Sequence, residues 1–338
     1  LEDGVFYAAN KLYGLTFERR TDLPVYNDDV WVYTVKDADG SDMGLFYFDP
    51  FQRASKRGGA WMSNFVDQSY LWDEKPVIYN VLNIPKAPKG EPQLVSFDWV
   101  ETAFHEFGHA LHAAQTYPSL SGTATARDFV EYPSQVNEMW ATYPEVLQNY
   151  AKNYKTGETI PTELVEKILA SSKFNQGYDF GEVLEAALLD MKWHALSKDE
   201  AAAIDTPEKV SAYETKSLKD LGLEIELVPP RYRTTYFNHI FSGPTGYSAG
   251  YYSYLWTQML DRDSRAWFLE NGGLTRANGD HYRDTVLSRG GTMDYGEMYR
   301  NFADRDPDVK YMLIALGLAD ESIDDAPRIA GQPEDRGE

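Results

Sequence analysis

From Phe104 to Gln115 the chain reads FHEFGHALHAAQ, an apolar run of helical period that carries histidines at 105, 109 and 112 and a glutamate at 106. Ionisable side chains on a segment that wants to bury itself are costly unless something compensates them. The fold must therefore place this helix inside, with partners ready for its imidazoles. HEFGH, His105 to His109, is an H-E-x-x-H pattern. Residues four apart share a helix face, so both imidazoles reach one metal ion while Glu106 stands beside it without ligating. Hydrogen-bonded core histidines, with Glu106 in a salt bridge, are the alternative.

The chain has no cysteine, so any metal must be held by His, Asp or Glu. A catalytic zinc takes three protein ligands and keeps a position for water, and two histidines leave one ligand to be found. The acidic segment RDFVEYPSQVNEMW, Arg127 to Trp140, offers Glu131 and Glu138 seven apart, so that both face one side of a helix. Glu131 is the expected ligand and Glu138 the second choice. Asp128 sits beside Arg127 after the polar run SGTATA, which reads as a solvated turn. Ligating histidines also need an acceptor for the second ring nitrogen. Glu101, four residues before His105, is expected to serve it, with Glu138 or Asn137 serving the other histidine. His112 reads as a neighbour of the site or as packing. With His, His and Glu as ligands, the metal acidifies its water, Glu106 takes the proton as general base, and a leaving amine later receives it. That is peptide or amide hydrolysis.

A chain of 338 residues buries a large core, as one big domain or two. Its 53 acidic and 32 basic residues give a formal charge of -21, which repels phosphate backbones and anionic bilayers; neither nucleic acid nor a membrane is an expected partner. No apolar run approaches the roughly 20 residues that span a bilayer. The lack of cysteine fits the cytoplasm, and a periplasm accommodates it too. The start, LEDGVFYAANKLYGL, lacks a methionine and already reads as helix, which points to a fragment whose beginning lies elsewhere.

VWVYTV, Val30 to Val35, and MGLFYFD, Met43 to Asp49, flank the turn-forming KDADGS and predict a hairpin. KPVIYNVLNI, Lys75 to Ile84, predicts a further strand, and the prolines of Pro85 to Pro92 a loop. Asp98 with Glu101 three residues on predicts a capping box opening a helix that runs to about Thr116 and closes over Pro118 to Ser121. Helices are expected over Tyr132–Tyr150, divided at Pro144, and over Pro161–Ser171, Gly181–Leu196, Pro207–Leu221, 278–288, 294–302 and 307–315. The class is mainly α, α+β, with a small antiparallel sheet. Residues 1–97 form its sheet-containing part and 98–338 the helical metal-binding and substrate-binding region, together one continuous lobe.

The stretch NHIFSGPTGYSAGYYSYLW, Asn238 to Trp256, predicts a loop running into a helix. Tyr247, Tyr251 and Tyr254 stand at four- and three-residue spacing, which can line one helical face, and a Tyr hydroxyl donates to an oxyanion without carrying charge at pH 7. Gly243, Gly246 and Gly250 let the loop bend or let a substrate backbone come close. An aromatic packing stripe is the alternative, and spacing does not decide which tyrosine serves catalysis.

HEFGHALH, SGTATARDFVEYPSQ and NHIFSGPTGYSAGYYSYLW together resemble the thimet oligopeptidase family of zinc metallopeptidases, above all its bacterial peptidyl-dipeptidase branch. GLFYFDPFQRASKRGGAW, KPVIYNVLNI and VLSRGGTMDYGEMYRNFADRDPDVKYMLIALGL extend the similarity over nearly the entire chain. The resemblance implies a zincin-like catalytic domain in which His105, His109 and Glu131 bind one Zn2+ and Glu106 is the base. It implies that Tyr251 and Tyr254 stabilise the oxyanion or bind substrate, with His239, Tyr247, Gly246 and Gly250 as further contacts. The branch removes dipeptides from free C-termini of short peptides; its relatives cut inside short peptides, and their channel between two helical halves excludes folded proteins. Two departures stand out. The segment SGPTGY carries an extra Pro-Thr, which bears on the place of His239. Family enzymes are also much longer, so this chain resembles the C-terminal half of a two-lobed peptidase. The N-terminal half is then an expected partner, and the chain by itself a weakly active catalytic piece. A free substrate carboxylate needs a cation, for which Lys56, Arg283 and Arg289 are candidates. An inactive peptide-binding scaffold is the other class of reading, and the intact Glu106 speaks against it, since a structural metal needs no base.

Overall fold

The computed structural model describes residues 1–112, 118–120, 122–225, 227–243 and 246–320. In chain order the strands are β1 (Thr16–Arg20), β2 (Trp31–Lys36), β3 (Asp42–Phe51), β4 (Trp61–Val66) and β5 (Val77–Ile84). The helices are α1 (Tyr7–Tyr13), α2 (Phe97–Leu111), α3 (Arg127–Val130), α4 (Tyr132–Glu138), α5 (Pro144–Tyr150), α6 (Thr162–Ser171) and α7 (Gln176–His194). They continue with α8 (Lys198–Ala203), α9 (Pro207–Asp220), α10 (Asn238–Phe241), α11 (Ser253–Glu270), α12 (Arg276–Tyr282), α13 (Tyr295–Ala303) and α14 (Val309–Ala315). The chain packs as two compact units, one of Leu1–Leu169 with Asp261–Pro307, the other of Ala170–Leu260 with Asp308 onward. No helix of the described residues is long and apolar enough to cross a membrane.

The first unit holds the sheet, in the order β1-β2-β3-β5-β4. The predicted hairpin forms, with Tyr33 opposite Phe46 and Thr34 opposite Leu45 in antiparallel register. The sheet is mixed, however, and not antiparallel throughout as expected. The chain runs from β3 out to the edge strand β4 and returns as β5 between them, parallel to β3 and antiparallel to β4. Trp61–Val66 carries no strand signal in the sequence, because WMSNFV interrupts its apolar residues with Ser63 and Asn64 and alternates poorly. One face of the sheet receives α2. Phe107 packs edge-on against Phe46 at 5.3 Å between ring centres and against Phe6 at 5.7 Å, and Phe6 stacks on Phe17 at 3.7 Å. These aromatic contacts anchor one face of α2, and the motif residues flanking Phe107 are directed elsewhere.

The predicted capping box does not form. Ser96 is the N-cap residue without a side-chain cap, and Asp98 lies inside the first turn of α2, where its charge complements the positive helix end. The helix stops at Leu111, and His112 has already turned to extended backbone. The expected continuation to Thr116, the closing Ser121 and the Pro244-Thr245 insertion lie outside the described residues. Pro133 and Pro144 sit at the starts of α4 and α5, where a missing N–H costs nothing.

The second unit is helical. Ala186 and Ala187 of α7, Phe237, Ile240 and Tyr251 form its buried core, with Trp193, Tyr232, Tyr247 and Tyr254 packed against it.

Candidate metal centre and tyrosine loop

Glycine at position 108 brings the two acidic helices together. A Cβ there would stand 2.6 Å from the Cα of Ser134 and 2.8 Å from both the Pro133 carbonyl oxygen and the Asn137 Cβ. α2 and α4 therefore cross almost backbone to backbone, and the Asn137 amide donates to the Phe104 carbonyl at 2.6 Å to fix the crossing. The break between α3 and α4 falls on Glu131, which is 6% exposed and points back at the HEFGH face. Its Oε2 lies 3.3 Å from His105 Nε2 and 3.2 Å from His109 Nε2. Ser134 donates to the Glu131 carbonyl at 2.8 Å and reaches Oε2 at 3.3 Å, so the carboxylate is held from behind.

Three donor atoms, one each from His105, His109 and Glu131, thus lie within 4.8 Å of one another. Ligand atoms about 2.1 Å from a tetrahedral ion stand roughly 3.4 Å apart, and the contacts of 3.2 and 3.3 Å match that spacing. Two imidazoles and a carboxylate form a donor set suited to zinc. The electrostatics agree. Burial opposes charge on His105, yet Glu131 and Glu138 hold its pKa well above the usual range, so this point favours a cation. Burial alone would push Glu131 up, but His105 and His109 hold it far below the ordinary carboxylate range.

The expected support of the histidines is rearranged. Glu138, not Glu101, accepts from His105 Nδ1, at 2.6 Å. Asn137 is spent on the helix crossing, and His109 Nδ1 is buried without a partner among the described residues. The rearrangement has a simple origin: Glu101 shares a helix with His105, whereas Glu138 is carried across by the close passage of α4. Glu101 lies at the surface of α2, but the protein packed around its carboxyl strips it of water and, with the charge of Glu138 added, raises its pKa to about 7. Glu106 is 5% exposed, one carboxylate oxygen has no partner among the described residues, and burial raises its pKa. His112 is buried with neither ring nitrogen paired among the described residues, and burial with nearby His109 lowers it to about 3, which makes it a neutral packing residue.

The cations named for a substrate carboxylate are engaged. Lys56 is buried against Asp49 at 2.8 Å and donates to the carbonyls of Asp49, Phe51 and Leu82. Arg283 grips Asp37 through two bonds of 3.0 and 2.6 Å, and Arg289 donates to the Asp284 carbonyl at 2.6 Å.

In the second unit the tyrosines do cluster, by another route than one helical face. Tyr247 and Tyr251 lie in turns ahead of α11, and only Tyr254 is on the helix. The rings of Tyr247 and Tyr254 are nearly parallel with hydroxyls 3.3 Å apart, and Tyr251 lies 5.2 Å from Tyr254 between ring centres. His239 meets Tyr247 edge-on at 5.4 Å and Tyr251 at 5.8 Å, and burial lowers its pKa. Gly246 packs with no room to spare, since a Cβ would stand 3.0 Å from the His239 carbonyl oxygen. The Gly250 N–H closes a turn on Tyr247 O at 2.7 Å. Asp190 of α7, which no sequence motif marked, accepts from the backbone of this loop.

Residues 1–318 match the family model described as Peptidase family M3. The chain is 50% identical over 321 residues to dipeptidyl carboxypeptidases of Salmonella typhimurium and Escherichia coli, covering 94% of this chain and 46% of each relative. It is 35% identical over 327 residues to oligopeptidase A of Escherichia coli, again with 94% of this chain and 46% of the relative. The chain thus spans about half the length of these curated relatives. With the match running through the metal helix, the acidic crossing and the tyrosine loop alike, this chain belongs to peptidase family M3.

Proposed function

We propose that this chain is the metal-binding, C-terminal part of a zinc peptidase that releases dipeptides from the free C-termini of short peptides. The observation that carries the reading is the convergence of His105, His109 and Glu131 on one point beside the buried Glu106. A zinc ion held by these three side chains supplies a Lewis acid that acidifies water and polarises a peptide carbonyl. Glu106, raised by burial and half-unpartnered, accepts a proton from the attacking water and passes it to the leaving amine. Its elevated pKa suits both halves of that transfer. Glu138 fixes the His105 ring through Nδ1, which leaves the Nε2 lone pair for a metal ion held together with His109 and Glu131. Tyr251 and Tyr254 are assigned to hydrogen-bond donation toward the developing oxyanion, and His239, Tyr247, Gly246 and Gly250 to substrate contacts.

The name of the 50% identical relatives favours dipeptide release, and the name of those at 35% keeps cleavage inside short peptides as the second reading. The experiment is mass spectrometry of products from one peptide with a free C-terminus and its amidated twin. It is run with the zinc-loaded chain, alone and mixed with the N-terminal half of a relative, and with Glu106→Gln as control. Stepwise dipeptide loss from the free peptide alone is expected. Internal cuts in both peptides support the second reading, and turnover that survives in Glu106→Gln contradicts the mechanism.

A further inference from the structure

We infer that Asp190 is a positioning residue that clamps the tyrosine loop into its working conformation. The inference rests on the assignment of the loop tyrosines to oxyanion donation. Asp190 projects from α7 and is 0% exposed. Its Oδ1 accepts the Ala249 N–H and its Oδ2 the Tyr251 N–H, each at 2.9 Å. One carboxylate thus captures alternate amides of a segment that precedes α11, where no helical carbonyl is available to them.

Two neighbours show that this is a built arrangement. His194, one turn further along α7, places Nδ1 2.7 Å from Asp190 Oδ1, a third donor around a buried carboxylate. Ala249 sits at φ +52°, in the left-handed region that a side chain with a Cβ avoids. A strained residue persists only where its surroundings over-determine it, and of the two amides gripped by Asp190 one belongs to that residue and the other lies two positions on. In the same turn the Gly250 N–H closes on Tyr247 O at 2.7 Å, and the Ser248 hydroxyl, just before Ala249, donates to Ile240 O at 3.0 Å. The clamp therefore sets the backbone from which Tyr247 and Tyr251 leave, with Tyr251 buried against Phe237 at 4.9 Å. Asp190 grips backbone amides and so acts through the loop.

The test uses the full chain with Asp190→Asn, which keeps the size of the side chain and one acceptor oxygen but turns a donor toward the second amide. Amide exchange over residues 246–252 is expected to speed up by about tenfold or more, while α7 and α9 keep their protection. In peptide hydrolysis kcat is expected to fall about 10- to 100-fold, because Tyr251 and Tyr254 are aimed at the transition state, with a smaller rise in KM from the displaced substrate contact Tyr247. Ala249→Gly, which removes the left-handed strain, is expected to recover part of the loss when combined with Asp190→Asn. Unchanged exchange in Asp190→Asn overturns the inference. So does released exchange with unchanged kcat, or a rise in KM alone. If the wild-type chain shows no turnover even with the N-terminal half of a relative added, the hydrolase reading fails, and the exchange result still decides the clamp.

Discussion

Glu138 shows how one side chain links the crossing of two helices to the orientation of a histidine in the candidate metal centre. Its carboxylate lies 2.6 Å from His105 Nδ1, which fixes the tautomer and ring orientation of that histidine. Glu138→Gln is expected to weaken zinc binding by about 10- to 100-fold, measured by competition with a chromogenic chelator. An unchanged affinity would remove Glu138 from the site. The grouping of His105, His109 and Glu131 beside Glu106 was legible in the sequence because H-E-x-x-H brings its residues to one side of a helix and Glu131 and Glu138 repeat at two turns. Which acid serves which ring nitrogen was not legible, since it depends on how closely another helix approaches. Asp190 was equally hidden: an acid that accepts backbone amides from a loop about 60 residues away leaves no local pattern.

At the scale of elements, the crossing of α2 over α4 depends on the absence of one Cβ. Gly108→Ala drives a methyl to within 2.6 Å of the Ser134 Cα, a backbone atom that yields only if α4 moves. Overpacking of this kind costs about 1–3 kcal/mol, read as a lower midpoint of urea unfolding, and the displaced Glu131 should weaken metal binding in the same variant. A variant with wild-type stability and zinc affinity would contradict the crossing. The hairpin, β5 and most helices were legible from period and punctuation. β4 and the parallel pairing of β3 with β5 were not, because a polar edge strand alternates poorly and strand order is a long-range property. The tyrosine spacing suggested a helix face, whereas backbone hydrogen bonds to Asp190 and His239 hold Tyr247 and Tyr251 in turns that only the folded unit defines.

For the molecule as a whole, with a net charge of -21, buried acids set how stability follows pH. Asp261 is 0% exposed with Arg262 Nη1 2.8 Å from Oδ2, and burial, only partly offset by Arg262, raises its pKa to about 7. The native state keeps this proton at pH values where the unfolded chain, with an ordinary Asp pKa near 4, has lost it. The contribution of Asp261 is therefore most favourable below pH 4 and falls as pH rises to 7. Asp261→Asn is expected to remove that slope, a difference on the order of 3 kcal/mol between pH 4 and 7, seen by comparing urea unfolding of the two proteins across that window. Equal slopes would mean that Asp261 is charged in the fold. The central claim concerns the metal, and its most direct measurement is the zinc content of the purified chain by mass spectrometry, in wild type, His109→Ala, Glu131→Gln and Glu106→Gln. One zinc per chain is expected in wild type and Glu106→Gln, and little in the other two. Loss of zinc in Glu106→Gln, or full retention in Glu131→Gln, would contradict the assignment of base and ligand.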